Sequence, residues 1–157
     1  MKKNVQLKVN GKVLEAVIEP YETLLQTLRG ALNLIGSKQG CDTGGCGCCT
    51  VLVDGMSRYA CMTYTISVKD AEITTIEGLA MGSNLDPVQQ AFVDTGAVQC
   101  GYCTCGMIMA SKQLLATNSK PTDAEIRQGL AGNLCRCTGY QKIVDAVKVA
   151  PGQREGR

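Results

Sequence analysis

Apolar and polar residues alternate over much of the first half of the chain, as they do in a β-strand with one buried face. Val5, Leu7 and Val9 share one face, and the Asn10-Gly11 pair after them favours a two-residue hairpin turn. Asp54-Gly55 separates two further runs in the same way. The pattern predicts strands over residues 5–9, 12–19, 50–53, 57–63 and 72–76, which would form a small mixed sheet.

Apolar residues recur at helical spacing in five other segments. The first follows Pro20, covers residues 24–36 and is expected to lie across the sheet. In the second half, Asp86-Pro87 favours a helix start, and residues 122–125 form a capping box. The helices predicted there begin near residues 87, 104, 123 and 140, and the last one ends before Pro151.

This change in the hydrophobic period predicts an α+β fold with two domains. We place the boundary near residues 77–85. A sheet-rich domain would then cover residues 1–77, and a helical domain would cover residues 78–157. The polar end, about residues 152–157, is expected to be disordered.

Composition narrows the chemistry more than the fold. The 157 residues carry a net charge of only +2, which argues against a nucleic-acid-binding or polybasic membrane-surface protein. No apolar run is long enough for a membrane span, and no signal peptide is visible, so a cytoplasmic location is expected. Ten Cys and no His exclude His-dependent catalysis and His-ligated metal or haem sites. In a reducing compartment, ten thiols indicate metal ligands.

The first cysteine quartet is Cys41, Cys46, Cys49 and Cys61, with the spacing C-x4-C-x2-C and a distant fourth cysteine. This is the plant-type ferredoxin pattern for a 2Fe–2S cluster. Glycines between the cysteines would let the loop bend tightly and aim backbone N–H groups at the sulfurs. A four-thiolate zinc site, or a thiol-exchange motif at Cys46 and Cys49, is the alternative interpretation.

The second quartet is Cys100-x2-Cys103 followed, after 31 residues, by Cys135-x-Cys137. Both pairs are predicted at helix starts, where free N–H groups favour an anionic cluster. The spacing is less specific here, because C-x-C pairs also occur in zinc sites. A thioredoxin-like role for the first pair is disfavoured, since no βαβ pattern surrounds it.

Three segments together resemble the iron–sulfur subunits of the xanthine oxidase family of molybdenum hydroxylases. They are residues 40–51 (GCDTGGCGCCTV), 99–103 (QCGYC) and 132–140 (GNLCRCTGY), and the resemblance covers about residues 3–150. It implies a ferredoxin-like β-grasp domain followed by an all-α four-helix domain, each with one 2Fe–2S cluster. It also implies a large molybdopterin-binding subunit and, usually, an FAD-binding subunit.

The resemblance also implies roles for individual residues. The first quartet would hold an outer cluster and the second an inner cluster, next to the pterin. The family residue matching Gln99 contacts the pterin through its side-chain amide, and the position of Cys137 lies beside the pterin amino group. Cys48 and Cys105 depart from the usual Ala and Pro of the family, and we interpret both as small apolar filler. Residues 36–42 and 131–133 look most similar to the small subunits of 4-hydroxybenzoyl-CoA reductases.

These observations predict an electron-transfer subunit of a multi-subunit molybdenum-dependent oxidoreductase. Single electrons would pass through two clusters between a molybdopterin centre and a flavin or other partner. With no His and no paired-carboxylate motif, we expect no substrate chemistry on this chain. The alternatives are a stand-alone ferredoxin-like carrier and a zinc-stabilised interaction module. The substrate class stays open among aromatic acyl-CoA, purines, N-heterocycles and aldehydes.

Overall fold

A computed structural model of the protein describes residues 1–150. The disorder predicted for about residues 152–157 lies outside the described residues. Five strands form one sheet in the order β2-β1-β5-β3-β4. The strands are β1 Lys3–Val9, β2 Lys12–Ile18, β3 Thr50–Val53, β4 Met56–Tyr59 and β5 Glu72–Thr74. The sheet is mixed, as predicted, because β1 pairs with β5 in parallel and the other neighbours are antiparallel.

Both predicted hairpins form around two-residue turns with left-handed backbone. Asn10 and Gly11 have φ of 53° and 72°, and Asp54 and Gly55 have φ of 50° and 77°. Two consecutive positive φ values match the twist of the flanking strands, which is why Asn-Gly and Asp-Gly pairs are favoured there. The alternation fixes the buried face, since Leu7 is fully buried in the sheet core.

The first helix, α1, is shorter than predicted. It covers Leu24–Arg29 and begins with a capping box at Thr23. The prediction over residues 24–36 was wrong after Gly30, where the backbone leaves the helical region. Arg29 donates from Nη1 to the carbonyl oxygens of Ile35 at 2.8 Å and Ser37 at 2.7 Å. Leu32 and Leu34, beyond Gly30, still pack on the sheet core, but from a loop that leads into the first quartet.

Helices make up most of the second half. They are α2 Pro87–Asp94, α3 Thr104–Thr117, α4 Asp123–Gly129 and α5 Gln141–Val149. Short 3-10 segments cover Ala60–Met62, Thr65–Val68 and Ile76–Gly78. The predicted caps at Asp86 and Thr122 are confirmed, each with a complete capping box. Residues 1–150 therefore contain five α-helices and a five-stranded sheet, which confirms the mixed composition of the fold.

The part of the chain from residue 1 to residue 150 contains two hydrophobic cores. One contains Leu7, Leu28 and Ile73 between the sheet and α1. The other contains side chains such as Phe92 and Met107 among the later helices. Cys48 belongs to the helical core although it lies in the first quartet's loop, so that loop contacts both halves. Over residues 1–150, no helix is both long and apolar enough to cross a membrane; the cytoplasmic location stays a prediction.

Candidate metal centres

The first quartet gathers at the end of the loop that follows α1. The Cys49 and Cys61 sulfurs lie 3.4 Å apart, and Cys41 and Cys46 lie near enough to affect the pKa of Cys61. Cys61 reaches the loop from the 3-10 segment after β4. The structure therefore brings together all four thiols that the spacing predicts.

Two glycines show why this loop cannot carry larger residues. Gly47 has φ of 71°, and a Cβ added there would lie 2.5 Å from the carbonyl oxygen of Gly132. A Cβ added to Gly40 would lie 3.0 Å from the Cys46 sulfur. The glycine-rich sequence is thus required by a left-handed turn and by close approach to a sulfur.

Electrostatics differ between the thiols of this quartet. Hydrogen bonds from the Thr43 backbone and from Cys46 lower the pKa of Cys41 to about 6. Burial, together with a hydrogen bond to Cys49 and neighbouring thiolates, raises the pKa of Cys61 to about 12. The Cys61 thiol needs a compensating cation to ionise near neutral pH, which bound iron would supply while releasing its proton.

The second quartet gathers between α3 and the loop before α5. The Cys137 sulfur lies 3.5 Å from that of Cys100 and 3.8 Å from that of Cys135. Cys103 hydrogen bonds with Cys135. Burial and this hydrogen bond raise the pKa of Cys103 to about 12. Cys100 and Cys137 are exposed, whereas Cys103 is buried.

The predicted position at helix starts is only partly right. Cys103 is the N-cap of α3 and makes no side-chain capping bond. Cys135 and Cys137 lie in a loop, because α5 begins only at Gln141, after Tyr140 with φ of 68°. The helix N-terminus therefore serves the first pair of this quartet and not the second.

Thr138 and Tyr140 support Cys135 in a way that the cysteine spacing did not reveal. The Thr138 hydroxyl donates to the Cys135 sulfur at 2.9 Å, and its backbone N–H lies 3.4 Å from the same atom. Burial opposes ionisation, but these bonds outweigh it and lower the pKa of Cys135 to about 7. The Tyr140 hydroxyl accepts from the Cys135 N–H at 2.8 Å. The signal was the Thr-Gly-Tyr sequence directly after Cys137.

Hydrogen bonds join the two cysteine loops directly. The Leu134 N–H donates to the Cys46 carbonyl oxygen at 2.9 Å. The buried Asn133 amide donates to the Gly47 carbonyl oxygen at 2.8 Å and to the Thr50 hydroxyl at 3.2 Å. These hydrogen bonds, most of which involve backbone groups, position the two cysteine loops relative to each other.

A cavity of about 480 Å³ lies between the quartets. Cys46 and Cys48 from the first loop line it, as do all four cysteines of the second quartet. The Tyr102 hydroxyl, at its border, donates to the Gln39 carbonyl oxygen at 2.7 Å. The second quartet thus faces the first across a shared space.

The remaining predicted residues fall into two groups. Gln99 is exposed beside Cys100, on the outer side of the second quartet. Cys48 and Cys105 are 5% and 8% exposed, as expected of small filler residues. The Cys105 thiol also donates to the Cys48 carbonyl oxygen at 3.3 Å, so these two cysteines contact each other.

The donor atoms fit iron–sulfur clusters. Each site offers four thiols, several of which lie within 4 Å of one another, and the chain has no imidazole to offer. Within residues 1–150, no three His, Cys, Asp or Glu side chains are arranged to hold one ion. A cluster of two irons is wider than one ion and takes all four ligands as thiolates.

Family models match both halves of the chain. A model described as "2Fe-2S iron-sulfur cluster binding domain" matches residues 7–73. A model described as "[2Fe-2S] binding domain" matches residues 75–148. Each matched segment contains one complete quartet, so the chain has two 2Fe–2S binding regions.

Similar proteins cover nearly the whole chain. The nicotine 6-hydroxylase small subunit of Paenarthrobacter nicotinovorans is 44% identical over 95% of this chain and 90% of its own length. The xanthine dehydrogenase iron-sulfur-binding subunit of Escherichia coli O157:H7 is 48% identical over 91% of each chain. The crystal structure of quinoline 2-oxidoreductase from Pseudomonas putida 86 contains a chain with a TM-score of 0.92 and 39% identity, covering 94% of this chain and 91% of that one. By motif, fold and overall identity, the chain belongs to the small 2Fe–2S electron-transfer subunits of the xanthine oxidase family of molybdenum hydroxylases.

Proposed function

We propose that this chain relays single electrons between a molybdopterin centre and a flavin or other partner, through two clusters with defined ligands. Each 2Fe–2S cluster, when bound, accepts and donates one electron. The outer cluster would take the first quartet and the inner cluster the second. The observation that supports this is the convergence of eight thiols into two groups of four. The outer ligands would be Cys41, Cys46, Cys49 and Cys61, and the inner ligands Cys100, Cys103, Cys135 and Cys137.

The inner site is open on one side, where we place the pterin contact. Gln99, Cys100 and Cys137 are exposed together there, whereas Cys103 is buried behind them. An exposed side-chain amide has both a donor and an acceptor for a heterocycle. Gln99 and Cys137 would contact the pterin of a large molybdopterin-binding subunit docked on this face.

A short bonded route links the two sites inside the chain. It runs from the Cys46 sulfur to its carbonyl oxygen, across the 2.9 Å hydrogen bond to the Leu134 N–H, and on to the neighbouring Cys135. The Asn133 side chain beside it is buried, which keeps water away from this part of the route. In this proposal the chain's residues hold both clusters in position, and the substrate is converted on the partner subunit that binds molybdopterin.

We also propose that the chain divides at about residue 77 into a β-grasp domain and a four-helix domain. The two separate cores and the two matched segments support this division. A large molybdopterin subunit and an FAD-binding subunit would complete the complex. The names of the similar proteins point to N-heterocycles, purines or aldehydes as substrates; an aromatic acyl-CoA substrate, as in 4-hydroxybenzoyl-CoA reductase, stays a prediction from the loop sequences.

Metal analysis of protein purified without oxygen tests the proposal. We expect a brown protein with about four irons and four sulfides per chain, from two clusters of two, and copurification of a larger molybdenum-containing chain. A colourless protein that contains zinc would support the interaction module instead. An active iron-containing monomer without a partner would support a stand-alone carrier.

A further inference from the structure

Cys48 lies between the two cluster sites although it belongs to neither ligand set. Its thiol lies 4.0 Å from the Cys46 carbonyl oxygen. A Cβ added to Gly40 would lie 3.0 Å from the Cys46 sulfur and 3.1 Å from the Cys48 sulfur, so both sulfurs border the same small space. Cys48 therefore faces a ligand of the outer cluster from inside the protein.

Contacts on both sides fix the backbone of Cys48. Its carbonyl oxygen accepts from the Lys38 N–H at 3.1 Å and from the Cys105 thiol at 3.3 Å. A Cβ added to Gly106 would lie 3.1 Å from the Cys48 Cα, which shows how closely α3 packs against this residue. With the backbone held and the side chain 5% exposed, the thiol has little freedom to turn away from Cys46.

A buried thiol beside a ligand sulfur has a definite chemical effect. A Cys S–H group is a weak donor, and an iron-bound Cys46 would be an acceptor thiolate. Hydrogen bonds to ligand sulfurs stabilise the reduced cluster, which carries one more negative charge. We infer that the Cys48 thiol donates to the Cys46 sulfur and thereby raises the reduction potential of the outer cluster, an inference that rests on the proposed function.

This role concerns the direction of electron flow. A higher potential at the outer cluster favours passage of an electron from the inner cluster outward. No bond forms or breaks, and the thiol proton stays on Cys48; only the location of one electron changes. Cys48 acts through Cys46 and is a tuning residue, not a catalytic one.

Redox titrations of the two clusters, followed by EPR, test this inference. In Cys48→Ala we expect the equilibrium constant for one-electron reduction of the outer cluster to fall by up to tenfold, which is about 59 mV. The inner cluster should keep its potential. Cys48→Ser retains a donor and should keep the outer potential at or above that of the wild-type protein. The outer signal is identified as the one lost in Cys61→Ser.

Cys105→Ala is the matched control. It removes an equally buried thiol from the same contact, but that thiol donates to a backbone carbonyl and not to a ligand sulfur. An unchanged outer potential in Cys48→Ala, an equal fall in Cys48→Ser, or loss of iron from Cys48→Ala would overturn the inference. Iron and sulfide in the wild-type protein are measured separately: their absence would overturn the proposed function and this inference with it, whereas intact clusters with unchanged potentials overturn the inference alone.

Discussion

At the scale of single residues, two cysteines that border the same cavity, Cys137 and Cys48, are expected to have different roles. Cys137 is exposed within 4 Å of two other thiols of its quartet, whereas Cys48 is buried beside Cys46. We predict that Cys137→Ser loses inner-cluster iron and most electron transfer from molybdenum, while Cys48→Ser keeps both clusters. Iron analysis and steady-state activity of the complex measure this difference. Equal losses of iron and activity in the two variants would contradict our ligand assignment.

Gly47 gives a second prediction at this scale. A side chain there meets both an unfavourable φ and the Gly132 carbonyl oxygen, so we expect Gly47→Ala to prevent assembly of the outer cluster. Gly96→Ala is the control, because its φ of 65° is similar but nothing lies within 4 Å of the added Cβ. It should cost about 1–2 kcal/mol of stability and leave the iron content unchanged. Iron content and thermal unfolding of the two variants distinguish the effect of an unfavourable φ, which both share, from the steric clash with Gly132, which only Gly47→Ala has.

The spacing of the cysteines predicted which thiols the structure brings together in each group. It did not predict the contacts that support them. The glycine-rich loop and the C-x4-C-x2-C pattern predicted a site because they encode local geometry. The bond from Thr138 to Cys135 depends on the path of the loop before α5, and the contact of Cys105 with Cys48 joins residues 57 positions apart. The contact between Cys105 and Cys48 depends on how the two halves meet, which no local pattern contains.

At the scale of elements, helix starts were predicted better than helix ends. The capping boxes at Asp86 and Thr122 act within four residues, so the sequence alone reveals them. The end of α1 depends on Arg29, which reaches carbonyl groups up to eight residues away. The loop around Cys135 depends on the Tyr140 hydroxyl, which lies five residues further along the chain. Capping residues close in sequence therefore determine where α2 and α4 begin, whereas a contact over a longer separation determines where α1 ends.

A buried ion pair between helices gives a prediction at this scale. Lys112 on α3 lies 2.7 Å from Asp86, the N-cap of α2, and the two side chains are 7% and 10% exposed. Lys112→Met would leave a buried carboxylate without its partner, so we expect a loss of about 3 kcal/mol. The matched change Lys148→Met breaks an exposed pair with Asp123 and should cost less than about 1 kcal/mol. Thermal unfolding followed by circular dichroism compares them, and equal shifts would refute the difference.

At the scale of the whole molecule, the function depends on how the two halves hold each other. The sheet-rich and helical cores are separate, yet the quartets share one cavity and several hydrogen bonds. Tyr59 on β4 donates to the Gly132 carbonyl oxygen at 2.8 Å, and Asn133 donates to the Gly47 carbonyl oxygen at 2.8 Å. The fold therefore positions the clusters through the junction as well as through each loop.

Asn133 is the residue at this junction whose loss we expect to matter most. Its amide is buried and donates to both Gly47 and Thr50, so Asn133→Ala leaves two buried acceptors without this donor. Such a loss costs about 1–3 kcal/mol. It should weaken the contact between the two cysteine loops and leave both cluster sites intact, because neither quartet loses a ligand. We predict normal iron content, slower electron transfer between the clusters and faster amide exchange at Leu134.

Tyr59→Phe is the comparison, because it removes one partly exposed hydrogen bond from the same junction and should have a smaller effect on both rates. Stopped-flow reduction of the assembled complex, together with hydrogen exchange, measures the two variants. If Asn133→Ala lost outer-cluster iron while Leu134 stayed protected, Asn133 would support the first loop alone and not the junction. If both variants exchanged and transferred electrons like the wild-type protein, the halves would be held by their apolar contacts, and the bonded route from Cys46 to Cys135 would not depend on this amide.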